Sequence, residues 1–289
     1  MTDFLAQMET AIRLAAFLSV FAMVAAWEVL APRRSAAFPR RQRWPHNLAL
    51  VALNSIVARL LMPGAVIAVA VAGESAGWGL INAFALAGWP AVLLALVLLD
   101  LAIYFQHVMF HAVPTLWRLH RVHHSDLDFD LTTGTRFHPI EIIVSTLIKM
   151  AAVVAIGAPA IAVLVFEVVL NATSMFNHAN AKLPIAVDRW LRLLLVTPDM
   201  HRVHHSVLYN ETNSNFGFNL PCWDRLFGTY LAQPAAGHGA MTIGVDAFRS
   251  PADLRLDQLL LQPFRQSPGG YAINRRPNLE SAKQSGHQA

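Results

Sequence analysis

Two stretches of this chain are near copies of one another. Leu119-His120-Arg121-Val122-His123-His124-Ser125 recurs as Met200-His201-Arg202-Val203-His204-His205-Ser206. A third group, His107-x-x-x-His111, precedes the first copy, and the three groups hold eight of the thirteen histidines. Histidine is the commonest nitrogen ligand in protein metal sites. On a helix, residues i and i+4 lie about 40° apart and i+3 is also a neighbour, so each group can present its imidazoles together. Two metal ions with four or five nitrogen ligands each would take roughly eight to ten imidazoles. Such a set favours Fe, Zn, Cu or Ni over Mg or Ca, which prefer oxygen.

Two more histidines join the metal candidates on their surroundings. His138 lies in Arg136-x-His138-Pro139-x-Glu141, and His178 in Phe176-Asn177-His178-Ala179-Asn180, where an apolar segment ends. His238, between glycines, and His287, near the C-terminus, read as bystanders. Asp100, Asp126, Glu141 and Asp199 are candidate carboxylates for orienting imidazoles. Asp100 stands in a run of leucines, where a carboxylate is costly without a partner.

The elements that must position these residues are membrane helices. The chain has 289 residues, of which 55% are hydrophobic and 14% charged; a soluble domain has roughly 25% charged. A net charge of +4 is too small to suggest nucleic acid. The single cysteine, Cys222, excludes an intrachain disulfide framework and a cysteine-rich cluster, and is expected to be a small core residue. The N-terminus carries Asp3 and Glu9 and no basic n-region, so its apolar run is expected to stay as a helix rather than be cleaved.

Apolar segments of about twenty residues predict transmembrane helices over about Ile12–Leu30, Leu48–Ala72 and Trp89–Phe110. Ile140–Phe176 is too long for one span and is interrupted by Gly157-Ala158-Pro159, which predicts a membrane-inserted hairpin. The expected fold is an all-α integral membrane helical bundle. About three N-terminal helices and the hairpin are capped by a cytoplasmic histidine-rich region. The expected divisions are residues 1–93, 94–232 and 233–289, with a mostly disordered tail from about Gln266. Asp188–Thr197 suits an interfacial amphipathic helix. The loop bearing Arg33, Arg34, Arg40, Arg41 and Arg43 contains no acidic residue, and the positive-inside rule places it in the cytoplasm. Following the spans from there puts every histidine group on that side.

These motifs resemble the fatty acid hydroxylase / sterol desaturase superfamily. The resemblance rests on Asp100-x-x-x-Tyr104-x-x-His107-x-x-x-His111, the two histidine repeats, Arg136-x-His138-Pro139-x-Glu141 and Asn177-His178-Ala179-Asn180. It closes on Asn215-Phe216-Gly217 and Trp223-Asp224-Arg225-Leu226-Phe227-Gly228-Thr229-Tyr230, and runs from about Leu94 to Tyr230. It implies a membrane non-haem di-iron oxidoreductase that uses O2 and two electrons to hydroxylate or desaturate a lipid. Carried over by position, His107, His111, His120, His123, His124, His201, His204 and His205 are ligands, His178 a ninth, and His138 a further candidate. Breaking an unactivated C–H bond needs an oxidant that no side chain supplies, so the metal carries the chemistry. No Gly-rich dinucleotide fingerprint is present, so electrons are expected from a separate protein.

An acyl-lipid fatty acid desaturase shares the three-box arrangement, but the paired His-Arg-Val-His-His-Ser and the Trp-Asp-Arg-Leu-Phe-Gly-Thr ending favour the sterol desaturase side. A metal transporter or sensor would place its ligands near mid-bilayer on several spans, whereas these clusters fall at helix ends.

Overall fold

The computed structural model describes residues 2–266 and residue 273. The expected polar tail, including His287, therefore lies almost wholly outside the described residues. Among them the chain is all-helical; the only extended pairings are two isolated bridges, Pro32 with Ala181 and Ser206 with Ile243. Eight helices come first: α1 (Thr2–Leu30), α2 (Arg40–Leu61), α3 (Ala65–Ala76), α4 (Gly79–Ala83), α5 (Gly88–Ala112), α6 (Pro114–His124), α7 (Pro139–Ile156) and α8 (Ala160–Asn177). Six short helices follow among the described residues: α9 (Ile185–Leu191), α10 (Pro198–His204), α11 (Tyr209–Thr212), α12 (Cys222–Leu226), α13 (Gly237–Ala240) and α14 (Leu256–Leu261).

Five helical stretches are long and apolar enough to cross a membrane: Met8–Leu30, Ala65–Ala83, Gly88–Ala112, Pro139–Ile156 and Ala160–Asn177. The chain is an integral membrane protein. The hairpin falls where the sequence places it. Gly157 ends α7 at a φ of +72°, and Pro159 sets up the start of α8. Gly157 also packs backbone to backbone against Gly79, where a Cβ on either residue would strike the other segment.

The expected span Leu48–Ala72 is redrawn. Pro63-Gly64 splits it, with Gly64 in the left-handed region. The first half belongs to α2, whose inward face carries Arg43, Asn47, Leu50 and Asn54, at helical spacing. That face is too polar for lipid, and it packs against loops of the histidine region. The apolar second half joins α4 to make the spanning stretch. A core of Ile67, Ala70, Ile81, Leu99, Val153, Val163 and Phe166 ties α3, α4, α5, α7 and α8 together.

Two local expectations also change. Cys222 is exposed rather than in the core. The interfacial helix is shorter and earlier than expected, as α9; Asp188 and Arg192 pair inward while Ile185, Trp190 and Leu194 are exposed.

Asp100 finds the partners it requires. Its carboxylate accepts from Asn219 Nδ2 at 2.7 Å, Trp223 Nε1 at 2.8 Å and the Leu220 N–H at 3.2 Å. It thereby ties the middle of α5 to α12 and the loop before it. Asp100→Ala leaves one buried and two half-buried donors without an acceptor and is expected to cost about 1–3 kcal/mol. A lower melting temperature in detergent is the expected outcome; an unchanged one would show that the tie carries no stability.

Candidate metal centre

The histidines arrive from four helix ends. The last two turns of α5 carry His107 and His111, and α6 carries His120, His123 and His124. His178 caps α8, while α10 carries His201 and His204 and is capped by His205. Both short helices begin with proline at the first turn, after Val113 and Thr197, where the missing N–H costs nothing. Thr197 also caps α10, accepting from the Met200 N–H.

All nine imidazoles are at most 3% exposed, and they form two groups. One comprises His107, His111, His120, His124 and His204; the other comprises His123, His178, His201 and His205. Within each group the ligand nitrogens lie within 4.8 Å of one another. Each repeat divides between the groups, and in opposite senses. His120 and His124 serve the five-histidine group and His123 the other. His201 and His205 serve the four-histidine group and His204 the other. Residues i and i+4 share a helix face, while i+3 falls on its other flank.

The ring nitrogens show which atoms are free. In the five-histidine group every Nδ1 faces outward to a partner. His107 donates to the Phe216 carbonyl at 2.8 Å, His204 to the Ser214 carbonyl at 2.7 Å, and His120 to Glu141 Oε1 at 2.6 Å. His111 Nδ1 meets Asn213 Oδ1 at 3.2 Å, and His124 Nδ1 lies 3.5 Å from Thr212 Oγ1. A carbonyl or carboxylate partner puts the hydrogen on Nδ1 and leaves a lone pair on Nε2. The Nε2 atoms of His107, His120 and His204 are buried without a partner. His111 and His124 bring theirs to 3.1 Å of each other. In the four-histidine group His178 Nδ1 donates to the Ser174 carbonyl at 2.7 Å. Its Nε2 lies 3.1 Å from the Nε2 of each of His123, His201 and His205. Inward lone pairs at such spacing repel unless a cation sits among them. The donor set, neutral and nitrogen-only, fits a transition metal and not Mg or Ca.

Aromatic and small residues hold the rings. Phe137 stacks on His123 at 4.5 Å and 13°, and Phe216 stands edge-on to His107, His111 and His204. Gly134 leaves room for His178, because a Cβ there would come within 2.9 Å of His178 Nδ1. Burial holds the imidazoles neutral: His120 and His178 are pushed down to about 3, and His123, His124, His201, His204 and His205 go well below the usual value.

Not every candidate residue reaches the centre. His138 belongs to neither group: its Nδ1 accepts from the Ile140 N–H at 3.2 Å as the cap of α7, and its Nε2 faces the Leu260 carbonyl at 3.2 Å. Pro139 forces His138 into an extended, capping conformation instead. Glu141 does orient an imidazole. Asp126 and Asp199 touch no histidine of either group; they pair with arginines instead. His238 is buried beside Asp199 at 3.6 Å rather than loose in a loop. The segment Thr212–Phe216 also orients rings, a role that the residue types there do not signal. Two of its contributions are backbone carbonyls, which leave no trace in residue type.

The fold and the site define a membrane protein with a buried pair of all-histidine cages. The fatty acid hydroxylase family pattern matches residues 92–229. Ornithine lipid hydroxylase OlsE of Rhizobium tropici is 30% identical over 192 residues, 65% of this chain and 56% of that protein. Human alkylglycerol monooxygenase is 30% identical over 139 residues, 46% of this chain and 29% of that protein. Human cholesterol 25-hydroxylase is 28% identical over 142 residues, 48% and 50% of the two chains. The match thus spans about half or less of the length of these relatives. No solved structure matches the chain. Residues 92–229 of the chain are thus similar to the fatty acid hydroxylase family, and the relatives that share this region are lipid hydroxylases and monooxygenases.

The buried neutral imidazoles give a pH dependence with a definite sign. A histidine titrates near 6.5 when unfolded, but His120 and His178 only near 3 in the fold. Between those values the unfolded chain binds more protons, so stability is lost as pH falls from 6.5 toward 3. The metal-free protein in detergent should melt several degrees lower at pH 5 than at pH 7.5. Equal midpoints would contradict the burial of neutral rings.

Proposed function

We propose that this protein is an O2-dependent oxidoreductase that hydroxylates a membrane lipid at a histidine-ligated di-iron centre. The carrying observation is the convergence of nine buried, neutral imidazoles into adjacent sets of five and four. His107, His111, His120, His124 and His204 would hold one ion, and His123, His178, His201 and His205 the other. When bound, iron would supply the activation of O2 needed to oxidise an unactivated C–H bond. The overall reaction is RH + O2 + 2 electrons + 2 protons → ROH + H2O. Hydroxylation is favoured over desaturation because the named relatives are hydroxylases and monooxygenases.

The chain's own residues do the preparatory work. The Nδ1 acceptors Glu141, Asn213, Ser214 and Phe216 hold four rings at fixed angles. Burial keeps the rings unprotonated and excludes water from the cages. The ends of α5 and α8 place the cages at the edge of the apolar bundle, within reach of a lipid lying between helices. The two electrons would come from a separate protein. Cytoplasmic placement of the site is supported by the arginine-rich loop, because Arg33 and Arg43 pair with acids next to the histidines and so lie on their side.

The test uses membranes of cells expressing the protein under 18O2, followed by lipid mass spectrometry. The wild type should give a lipid that gains one 18O atom, and purified protein should carry about two iron ions per chain. His123→Ala and His204→Ala should abolish the product while still inserting into the membrane, and His287→Ala should behave as wild type. Equal turnover in His123→Ala and wild type would remove the cages from the chemistry.

A further inference from the structure

The two cages are held in different ways. The five-histidine cage is braced through its own rings, four of them by the stretch from Thr212 to Phe216. In the four-histidine cage only His178 has an outward Nδ1 partner; Nδ1 of His123, His201 and His205 are buried without one. Something other than ring hydrogen bonds must place these three histidines.

The arginine-rich segment after α1 touches the chain beside His123, His178 and His201. Arg43 is 1% exposed and grips Asp126, three residues after His123, through Nε and Nη2 at 2.7 Å each. Asp128 accepts the Ala37 N–H at 2.6 Å, and Asp130 accepts from Arg43 Nη1 at 2.6 Å. Beside His178, the segment runs as a short antiparallel ladder. Arg33 N donates to the Asn180 carbonyl at 2.9 Å, Lys182 N donates to the Ala31 carbonyl at 2.8 Å, and Asn180 Nδ2 donates to the Arg34 carbonyl at 2.8 Å. Beside His201, Arg33 Nε donates to both oxygens of Asp199 at 3.0 Å. Asp199 also pairs with Arg202, whose Nη2 reaches the Ala179 carbonyl at 3.0 Å. All three chain segments that carry the four-histidine cage are therefore clamped from residues 33–43, which lie outside the matched family region. Among the described residues this segment has no hydrogen bond to Thr212, Ser214, Asn215 or Phe216.

We infer that Arg33 and Arg43 are positioning residues for one metal only: the two sites differ in affinity, and the four-histidine site depends on the arginine clamp. Preorganised ring partners favour the five-histidine site, because its ligands lose little freedom on binding. The four-histidine site takes its geometry from backbone placement, so releasing the clamp spreads its ligands without touching a ligand. The inference rests on the proposal of two metal ions.

The test is a cobalt(II) titration of the full-length, metal-free protein in detergent, followed by visible absorption against a competing chelator. The wild type should bind two ions in two phases. His107→Ala should delete the tighter phase and His123→Ala the weaker, which assigns them. Arg33→Gln and Arg43→Lys should each weaken the weaker phase on the order of 10–100-fold and leave the tighter one in place. Thr212→Val should act on the tighter phase instead. Arg41→Gln removes one charge from an exposed position of the same segment and should change neither phase. If Arg43→Lys fails to fold, Arg33→Gln decides alone, since Asp199 keeps Arg202 as a partner. Equal shifts of both phases in Arg33→Gln, no shift, or the same shift in Arg41→Gln would overturn the inference. A wild type that binds fewer than two ions would instead overturn the two-metal proposal.

Discussion

Nine imidazoles taken out of water into one small volume are the constraint on which the rest of this structure depends. A buried ring that keeps both nitrogens unsatisfied is expensive. The fold offsets this on one side with acceptors for Nδ1, in the five-histidine cage above all. It leaves the other side as a set of converging lone pairs, an arrangement suited to a cation. The apolar surroundings push protonation down, so the rings remain ligands rather than charges. The proposed metal affinity, the expected loss of stability in acid and the need for a rigid frame all follow from this one arrangement.

The membrane helices supply the frame. α5 and α8 are spans in their apolar parts and ligand carriers at their ends. A polar tie at Asp100, in the middle of α5, reaches the loop before α12, and that region continues into the Phe216 carbonyl that receives His107. Lipid-facing packing and metal geometry are therefore not separable. α2 belongs to the same logic. It presents Arg43 and Asn47 to the aspartates after the first histidine repeat, where a hydrophobic helix would leave Asp126 buried and unpaired. Burial alone would raise the Asp126 carboxyl; Arg43 and Arg136 outweigh it and hold it well below the usual carboxylate range.

The arginine-rich loop carries two kinds of information. As bare charge it is the feature from which the expected orientation in a bilayer is read. In the folded protein Arg33 and Arg43 are half of specific ion pairs, with Arg34 bonded to the carbonyls of His238 and Met241. The same loop thus supplies both the charge on which the expected topology rests and the contacts on which the proposed clamp rests.

The sequence by itself determined the residue types: which histidines are clustered, that the chain is helical and membrane-embedded, that Gly157-Ala158-Pro159 turns a hairpin, and that Asp100 needs a partner. These are local properties, set by hydrophobic run length, proline and glycine geometry, and the cost of a lone carboxylate in an apolar helix. Only the tertiary structure decided how the nine rings divide. His123 leaves its neighbour His124 for the other cage because adjacent helical residues point about 100° apart, and which partner each face meets depends on how α6 and α10 cross. The fate of His138 as a helix cap, the break at Pro63-Gly64 that hands Arg43 to the site, and the carbonyls of Ser214 and Phe216 as ring acceptors were likewise decided in three dimensions. Each depends on contacts between segments far apart in the chain, and backbone groups that every residue possesses carry no signature in residue type.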